Sequence, residues 1–469
     1  MGERLTADML VIGGGTAGLA VAVGAAQLGA ATLLVERSAL GGNPAGLQSK
    51  ALLAAAKRAQ AMREAAAFGL GASEPDIDFA AVLRHVRAVA EAVAPRHAEE
   101  RLAALGVRVA RASARFIGPR EVAAGAAVIR ARRIVIATGA RPVLPPIAGL
   151  AQVPFLTDET IFVHPILPEH LLVLGGVPAA IELAQAYRLL GAHVTVLAPG
   201  RVLAQHDPEL VTLLLDYLRA QGIAIREAVR IAQIDRADAG IAVTLEGGEA
   251  IAGSHLLIAA ERHPALDGLD LEKAGIATDA QGLVLDRRLR TTNRRVYVAG
   301  DAAGGPLTVH LAKHHAGIVL RNALFRLPAR VDDRALPAVL FTAPELAQVG
   351  LGEAEARDRH RGRLAILRQP FFDNDRARAE RATRGLVKLV ATRNGRVLGA
   401  AILGADAGEL IAPWSLAIAR GLKLSGVAGM VFPYPTLGET SQQAAQSFVA
   451  PRLLGERTRR LVRLLARFG

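Results

Sequence analysis

Three glycines and one acid near the N-terminus have types and spacings that suit one kind of chemistry. Gly13, Gly15 and Gly18 form a G-x-G-x-x-G pattern, and Glu36 follows about twenty residues after Gly15. In such a loop the first glycine permits a tight turn and the second lets a pyrophosphate approach the backbone. The third glycine lets a helix pack closely on a strand, and the acid can accept hydrogen bonds from a ribose. The pattern predicts a dinucleotide-binding loop.

The segments around these glycines are those that such a loop needs. They are an apolar run at 9–12, an Ala-rich helical segment from 17 to about 28, and a second apolar run at 32–35. Strand, turn, helix and strand form a βαβ unit, whose helix N-terminus offers unpaired N–H groups and a partial positive charge to phosphates. We therefore assign Thr16, Ala17 and Arg37 to the same site.

Composition narrows the class of protein. The chain has 469 residues, enough for about three domains, and a net charge of +13. This charge favours anionic partners, membranes or cofactors without specifying one, and no nucleic-acid-binding motif accompanies it. No apolar run is long enough to span a bilayer, and the early first strand leaves no room for a signal peptide. We therefore expect a cytoplasmic, soluble protein that does not bind nucleic acid.

The sequence contains no cysteine. Disulfides, thiolate nucleophiles and cysteine-ligated metals are therefore excluded. Three histidines lie close together, His310, His314 and His315, but no carboxylate pattern accompanies them. We predict packing or surface roles for them and no metal site.

Four further motifs follow the glycine loop in order. They are Thr138-Gly-Ala-Arg-Pro142 after a buried strand, Gly300-Asp301 after another strand, and two segments near the C-terminus, Phe341–Gly350 and Phe432–Glu439. Together with the glycine loop they resemble the flavoprotein disulfide reductases, the family of glutathione reductase, dihydrolipoyl dehydrogenase, mercuric reductase and soluble transhydrogenase. The resemblance covers essentially the whole chain.

The resemblance implies a glutathione-reductase-like α/β fold. Two Rossmann-like three-layer ββα/βαβ nucleotide-binding domains would precede a C-terminal α+β dimerisation domain, so a homodimer is implied. The FAD-binding domain would comprise residues 1–150 and 266–334. The NAD(P)-binding-like domain would be 151–265, and the dimerisation domain 335–469.

FAD is the cofactor that the resemblance implies for the first glycine loop. In the family the Thr-Gly motif closes over the FAD pyrophosphate, the Gly-Asp motif binds the ribityl chain, and the following helix polarises the flavin pyrimidine. The Gly-Gly loop and the helix after it complete the site. Carried to this sequence, these roles fall on Gly42, Lys50, Thr138, Gly139, Asp301, Thr308 and Val309.

One part of the family pattern is missing from this chain. The family's redox loop carries two cysteines between a Gly-Gly pair and a Ser-Lys pair. Here Gly41-Gly42 and Ser49-Lys50 remain, but the first cysteine falls in a deletion after Gly42 and the second aligns with Gly46. The disulfide chemistry of the family is therefore excluded by composition.

A second βαβ pattern repeats the opening unit and departs from it at the ligand-binding positions. Gly13, Gly15, Gly18 and Glu36 correspond to Gly175, Val177, Ala180 and Ala198. Val177 and Pro178 put a branched side chain and a missing N–H where a pyrophosphate would bind, and Ala198 lacks the ribose-binding carboxylate. Glu261 would repel phosphates, whereas Arg201 could face a 2′-phosphate. Weak NADPH or NADH binding and loss of the nucleotide both remain open.

Four residues are candidates for catalysis by resemblance. Lys50 and Glu182 fall where the family places an ion pair beside flavin N5, and a cation there stabilises negative charge on reduced flavin. An ordinary buried ion pair is the alternative. Tyr434 replaces the histidine of the family's His-Pro motif, and Glu439 matches the acid that holds it. A phenol with a pKa of ~10 is a poor base at neutral pH but can donate a hydrogen bond.

The last segment, 451–468, predicts a basic amphipathic helix. Leu461, Leu464, Leu465 and Phe468 share one face, and arginines flank it. This helix could lie on an anionic membrane at its inner face, on an acidic partner, or against its own subunit or dimer mate.

These observations predict a homodimeric FAD-dependent oxidoreductase without a redox disulfide. Electrons would pass through the flavin directly to an acceptor such as a quinone, a metal ion, a dye or a protein. The alternative is a degenerate homologue that binds FAD structurally and serves as a scaffold or electron-transfer partner. Lys50 and Glu182 favour the enzyme, whereas Val177, Ala198 and Glu261 favour the scaffold. A third hypothesis, quinone reduction at a membrane surface, depends mainly on the basic segment 451–468.

Overall fold

The computed structural model describes residues 3–238, 240–259, 261–360 and 364–468, except for the side chain of Arg452. Ala260, the neighbour of Glu261, lies outside the described residues. Three sheet-centred units follow one another along the chain, and the first is completed by a later segment. This arrangement confirms the glutathione-reductase-like fold.

The first unit is built on a parallel sheet extended by an antiparallel ribbon. Its strands are β1 (Arg4–Ile12), β2 (Thr32–Glu36), β3 (Val107–Arg111), β4 (Ala114–Gly118), β5 (Glu121–Ala124), β6 (Ala127–Ile136) and the short β7 (Ala140–Pro142). Its helices are α1 (Thr16–Gln27), α2 (Ala45–Glu64), α3 (Phe79–Val93) and α4 (Glu99–Ala104). The strand order is β3-β2-β1-β6-β5-β4.

The second unit repeats this plan with a five-stranded parallel sheet. Its strands are β8 (Leu156–Thr157), β9 (His170–Leu174), β10 (His193–Leu197), β11 (Ile223–Arg226), β12 (Ile231–Ala237), β13 (Gly240–Leu245), β14 (Ala250–Gly253), β15 (His255–Ile258) and β16 (Arg262–Pro264). Its helices are α5 (Pro178–Leu189) and α6 (Pro208–Ala220). The parallel sheet has the order β11-β10-β9-β15-β8, and β16 pairs with β7 as the chain returns to the first unit.

The returning segment completes the first sheet. It contains β17 (Thr278–Asp279), β18 (Gly282–Leu283), β19 (Val296–Val298) and α7 (Val309–Ala323). β19 pairs in parallel with β6, and α7 packs against α1. The carboxyl ends of β1, β6 and β19 therefore lie side by side at one edge of the sheet, where ligands of such sheets bind.

The third unit is an antiparallel sheet covered by helices. Its strands are β20 (Pro337–Leu340), β21 (Glu345–Gly350), β22 (Leu364–Pro370), β23 (Leu386–Thr392) and β24 (Val397–Gly404). Its helices are α8 (Glu353–His360), α9 (Asp375–Ala379), α10 (Ala407–Leu410), α11 (Ala412–Arg420), α12 (Leu424–Ala428), α13 (Glu439–Leu453) and α14 (Glu456–Leu465). The strand order is β20-β21-β24-β23-β22.

The C-terminal segment is divided rather than a single helix over 451–468. Pro451 lies in the last turn of α13, and α14 begins after Gly455, whose extended backbone separates the two helices. The apolar side chains of α14 do not pack on the described part of this chain, since Leu461, Leu464, Leu465 and Phe468 are all at least half exposed. Among the described residues, no helix combines the length and apolar content needed to cross a bilayer.

Candidate functional site

The glycine turn between β1 and α1 leaves open space beside Gly15. Gly13 has a φ of +106° and donates its N–H to Val35 O at 2.9 Å, which fixes the turn across the sheet. A Cβ on Gly18 would lie 1.8 Å from Gly13 O, so Gly18 is needed for close packing. A Cβ on Gly15 would find no atom nearer than 3.9 Å, that of Gly42 Cα. The space above Gly15 is therefore available to a ligand.

The first turn of α1 presents backbone donors to this space. Gly15 is the N-cap residue, and no side chain caps the helix. The first N–H groups of a helix have no partner within it, so those of Thr16, Ala17 and Gly18 can donate to an anion. The turn therefore has the donors that a pyrophosphate needs.

Glu36 anchors the same turn. Its Oε2 accepts from Gly14 N at 2.5 Å, and its Oε1 accepts from the N–H and hydroxyl of Ser38 at 2.7 and 2.8 Å. Burial opposes its ionisation, but the hydrogen bonds from Gly14 and Ser38 outweigh this and hold the pKa of Glu36 below its ordinary value. Arg37 is exposed, and its side chain forms no hydrogen bond within the described ranges.

Two polar groups at the neighbouring strand ends lack partners in the part of the chain that the structure describes. Thr138, after β6, has a buried hydroxyl with no hydrogen bond. Asp301, after β19, has a carboxylate with no hydrogen bond, and burial raises its pKa despite the nearby Arg262. Buried polar groups are rarely left unpaired, so both groups fit a site that a ligand completes. Gly139, with a φ of +76°, turns the chain away after Thr138.

The loop that follows β2 closes against the glycine turn. Gly41 donates its N–H to Gly14 O at 2.8 Å, and Gly42 has a φ of +73°. A Cβ on Gly42 would lie 3.1 Å from Gly15 Cα. Gly42 therefore lies directly beside the space above Gly15.

Lys50 and Glu182 meet across the first two units. Lys50 Nζ lies 2.6 Å from Glu182 Oε2, and the Glu182 side chain is only 4% exposed. The second oxygen of Glu182 accepts from the N–H of Phe341 at 2.9 Å, and Lys50 Nζ lies 4.7 Å from the centre of the Phe341 ring. Both carboxylate oxygens are thus used, and Lys50 has a fixed position on α2. Sequence reasoning missed the part that Phe341 plays, because no local pattern links it to Glu182.

The N-terminus of α7 lies on the same side of the first unit. The Thr308 hydroxyl accepts from Leu311 N at 3.3 Å, which makes Thr308 the N-cap, and Val309 is 57% exposed.

His310 contacts Pro337 O at 2.8 Å, whereas His315 is buried. Among the described residues, no three histidine, aspartate or glutamate side chains are grouped so that they could hold a metal ion.

The second copy of the βαβ pattern reproduces the backbone of the first. Leu203 donates to Gly176 O at 2.8 Å, as Gly41 does to Gly14 O in the first copy. The side chains differ. Val177 is the N-cap of α5, Pro178 removes one first-turn donor, and Ala198 is buried where Glu36 binds its own turn. The fold of a nucleotide site is therefore kept while its polar contacts are lost.

Two charged residues flank this second turn. Arg201 is exposed and forms no hydrogen bond in the described part of the chain. Glu261 has an exposed side chain, while its backbone oxygen accepts from Val143 N at 2.9 Å. Their carboxylate and guanidinium groups both remain accessible to a nucleotide.

Tyr434 and Glu439 do not contact each other through their functional groups. The Tyr434 hydroxyl donates to Asp375 Oδ2 at 3.2 Å, and Glu439 Oε2 accepts from Thr436 N at 2.9 Å. The hydrogen bond to Asp375 raises the pKa of Tyr434, so the phenol stays protonated at neutral pH. Tyr434 is 72% exposed in the single chain and accessible to a partner subunit or a substrate.

The geometry defines the class of the first site. A glycine turn with unpaired amides, open space above Gly15, and unsatisfied groups at Thr138 and Asp301 fit an extended dinucleotide that carries a pyrophosphate and a polyol. A lysine–glutamate pair lies across the unit boundary, and its lysine follows the loop that lacks the family's two cysteines. These are the features of an FAD-dependent oxidoreductase.

Comparison with known proteins identifies the family. Residues 7–316 match the family model of the pyridine nucleotide-disulphide oxidoreductases, and residues 336–445 match the dimerisation domain of the same family. The chain belongs to this family of FAD-binding flavoproteins that use NAD(P)H. It also carries the domain through which the family forms homodimers.

The similar proteins cover nearly the whole chain. A mercuric reductase of Streptomyces lividans is 36% identical and covers 94% of this chain and 96% of its own. A dihydrolipoyl dehydrogenase of Thermus scotoductus is 33% identical, with coverage of 94% and 97%. Among solved structures, LpdA of Mycobacterium tuberculosis has a TM-score of 0.86 at 27% identity, with coverage of 95% and 99%. The Cu(II) complex of RclA of Escherichia coli, an HOCl-induced flavoprotein disulfide reductase, has a TM-score of 0.84 at 26% identity, with the same coverage.

Proposed function

We propose that this protein is an FAD-dependent oxidoreductase that passes electrons from its flavin directly to an acceptor, without a redox disulfide. The observation that carries the proposal is the 2.6 Å ion pair between Lys50 and Glu182 in a chain that contains no cysteine. The family resemblance places this cation beside flavin N5, where it would stabilise the negative charge that develops on the reduced ring, a role that a structural flavin does not use.

Different residues of this chain bind the cofactor, stabilise its reduced form and contact the acceptor. Gly15 and the first turn of α1 bind the pyrophosphate, Thr138 and Asp301 complete the cradle, and Glu36 holds the turn and offers its remaining lone pairs to the ribose. The bound flavin supplies the electron-transfer chemistry. Lys50 stabilises negative charge beside it, and Glu182 and the Phe341 amide hold Lys50 in place. When the acceptor binds, the Tyr434 hydroxyl donates its single hydrogen to the acceptor in place of Asp375.

The acceptor is a small molecule, a metal ion or a protein that reaches the flavin without a thiol relay. The relatives named mercuric reductase make a metal ion one candidate, but in this chain no thiolate is present to bind a soft metal. A quinone or a protein electron carrier needs no such ligand, so these two classes fit the residues better.

NADPH is the proposed donor, bound weakly at the second turn. Val177 and Pro178 reduce the space and donors for the pyrophosphate, and Ala198 lacks a ribose-binding carboxylate. The exposed Arg201 favours the 2′-phosphate of NADPH over NADH. The donor assignment is separate from the assignment of the flavin as catalytic.

An anaerobic titration of the flavin spectrum tests the donor. NADPH should bleach the flavin at millimolar concentration and NADH should do so less well. The double variant Val177→Gly/Ala198→Glu should shift the preference toward NADH, since the first copy holds Glu36 against the same backbone geometry. Full photoreduction without bleaching by either nucleotide, in the protein and the double variant alike, would contradict a nicotinamide donor.

We also propose that α14 brings the protein to anionic membranes. Support comes from its exposed leucines, Leu461, Leu464 and Leu465, beside a row of arginines in the same helix. The protein should sediment with vesicles that contain anionic lipid and not with zwitterionic vesicles. The variant Leu461→Gln/Leu465→Gln should lose this binding and keep its flavin, whereas a loss of dimer in that variant would place α14 at the subunit interface instead.

A further inference from the structure

Six arginines line a cavity on the first unit. The cavity has a volume of about 390 Å³, and its arginines are Arg133, Arg288, Arg290, Arg294, Arg295 and Arg326. Within the described ranges, the only one with a carboxylate partner is Arg290, which lies 2.7 Å from Asp286. Five guanidinium charges therefore share this cavity without a neutralising side chain.

The cavity is separate from the flavin site. Arg133 lies on β6 and Tyr297 on β19, and both strands run on to the flavin-site residues Thr138 and Asp301. At about 3.3 Å per residue, the cavity lies roughly 15 Å from those residues, toward the opposite end of the sheet. A ligand in the cavity would not compete with FAD.

Two hydrogen-bond donors at the cavity are unused. Arg133 Nε is buried and has no partner in the described part of the chain. Tyr297 is 4% exposed, and its hydroxyl forms no hydrogen bond among the described residues. Burial, reinforced by Arg295, Arg132 and Arg326, lowers the pKa of Arg133. Like charges held this closely repel each other, and an anion that accepts from these donors would remove the repulsion.

The chemistry of the cavity selects the ligand. Guanidinium groups bind phosphate oxygens through two parallel hydrogen bonds, which a compact ammonium cannot do. One phosphate is too small to fill about 390 Å³ or to neutralise five charges. We propose that this cavity binds a small anion with two or more phosphate groups, either an inorganic polyphosphate or the phosphate chain of a nucleoside triphosphate.

Calorimetric titration of the FAD-loaded protein with inorganic triphosphate tests the proposal, at a fixed ionic strength of about 150 mM. Saturable binding is expected. The double variant Arg295→Gln/Arg326→Gln should bind triphosphate at least about tenfold more weakly, because it loses charge-assisted hydrogen bonds. Arg87 and Arg130 are exposed, and the described residues provide no carboxylate partner for either. The control variant Arg87→Gln/Arg130→Gln has the same net charge and should change affinity less than about twofold.

Arg133→Lys separates charge from geometry. It keeps the positive charge but loses the planar guanidinium and its buried donor, so triphosphate binding should weaken about fivefold or more. The flavin spectrum and the melting temperature report whether the variant is folded. An Arg133→Lys variant that is folded and binds as tightly as the unmodified protein would overturn the assignment of Arg133 to the ligand.

Competition experiments identify the source of the phosphates. Equal affinity for inorganic triphosphate and adenosine triphosphate would show that the phosphate chain alone is recognised, and tighter binding of adenosine triphosphate would identify a nucleotide. Any one of three results would overturn the proposal. They are no saturable binding of triphosphate, equal losses of affinity in the cavity and control double variants, and displacement of triphosphate by a duplex oligonucleotide at a phosphate concentration below that of the triphosphate.

Discussion

Individual polar residues of the flavin site differ in whether the protein itself satisfies them. Glu36 accepts three hydrogen bonds from Gly14 and Ser38, so it stabilises the turn even without a ligand. Asp301 and Thr138 have no such partners in the described chain. Residues of the second kind depend on the cofactor, and their substitution should therefore separate binding from folding.

Asp301→Asn tests this separation. Because burial raises the pKa of Asp301, the ionised carboxylate destabilises the flavin-free fold at pH values above that pKa, and this cost disappears in acid. Asparagine removes the charge, so the flavin-free protein should be slightly more stable at neutral pH. FAD affinity should fall about 10- to 100-fold, since a charged acceptor is lost.

The two measurements are a urea titration of the flavin-free protein and FAD release followed by fluorescence. A variant that keeps full FAD affinity would exclude Asp301 from the cofactor site. A variant that loses both FAD and stability would instead give Asp301 a structural role.

Tyr434 allows a prediction about pH. Because its hydrogen bond to Asp375 raises the pKa, the phenol should remain a donor throughout neutral and mildly alkaline pH. Tyr434→Phe should slow flavin reoxidation by the acceptor about 2- to 10-fold, because one hydrogen bond is lost. This factor should be constant from about pH 6 to pH 9, since the phenol stays protonated over that range. Rapid mixing of the reduced protein with a quinone measures the rate of reoxidation. A factor that changes steeply across this range would show that Tyr434 acts as a base.

At the scale of elements, the two βαβ copies show how much a sequence predicts. The sequence spacing predicts the positions of both glycine turns, of the helices after them and of the closing strands. It can do so because the patterns of strand, turn and helix depend on residues that are close in sequence. The sequence predicts helix ends less well. The charged amphipathic pattern over 76–101 predicts one helix, but the segment forms α3 and α4, since Pro95 interrupts it. The Ala-rich segment predicts a helix from about Ser49, whereas α2 begins at Ala45.

Two glycine substitutions in the same turn should have opposite consequences. Gly15→Val should fold with a stability change within about 1 kcal/mol, since its extended backbone suits valine and its Cβ meets no close atom, yet FAD should no longer bind. Gly18→Ala places a Cβ 1.8 Å from Gly13 O and should destabilise the fold by more than about 2 kcal/mol. Thermal unfolding and flavin content measure both. FAD retained by a folded Gly15→Val variant would contradict the assigned pyrophosphate position.

At the scale of the whole molecule, contacts between units were the part that sequence could not predict. The family resemblance predicted that Lys50 and Glu182 form a pair. It did not predict that the backbone N–H of Phe341, in the third unit, donates to Glu182. The buried Lys388 on β23 likewise lies within 3.0 Å of three carboxylates, Asp207, Glu209 and Glu353. Such contacts join residues that are distant in sequence, so the periodicity of a single segment cannot predict them.

Lys388→Met should weaken the junction between the second and third units. The lysine side chain is 4% exposed, and its loss leaves the Asp207 carboxylate, only 5% exposed, without a cation among the described residues, at a cost of about 3–5 kcal/mol. Lys273→Met removes a surface pair with Asp270, which solvent screens, and should lower the free energy of unfolding far less. Urea unfolding followed by circular dichroism compares the two, and equal effects would contradict the structural role of the Lys388 cluster.

The central claim is that the flavin itself delivers electrons to an acceptor, and one measurement tests it most directly. The FAD-loaded protein is reduced by light without oxygen and mixed rapidly with a benzoquinone, in parallel with the variant Lys50→Met. We expect reoxidation in one phase that accounts for two electrons per FAD, at least about tenfold faster than in Lys50→Met. No reoxidation by the quinone would contradict a catalytic flavin and favour the scaffold. Reoxidation at the same rate in both proteins would contradict the role of Lys50, the observation on which the proposal rests.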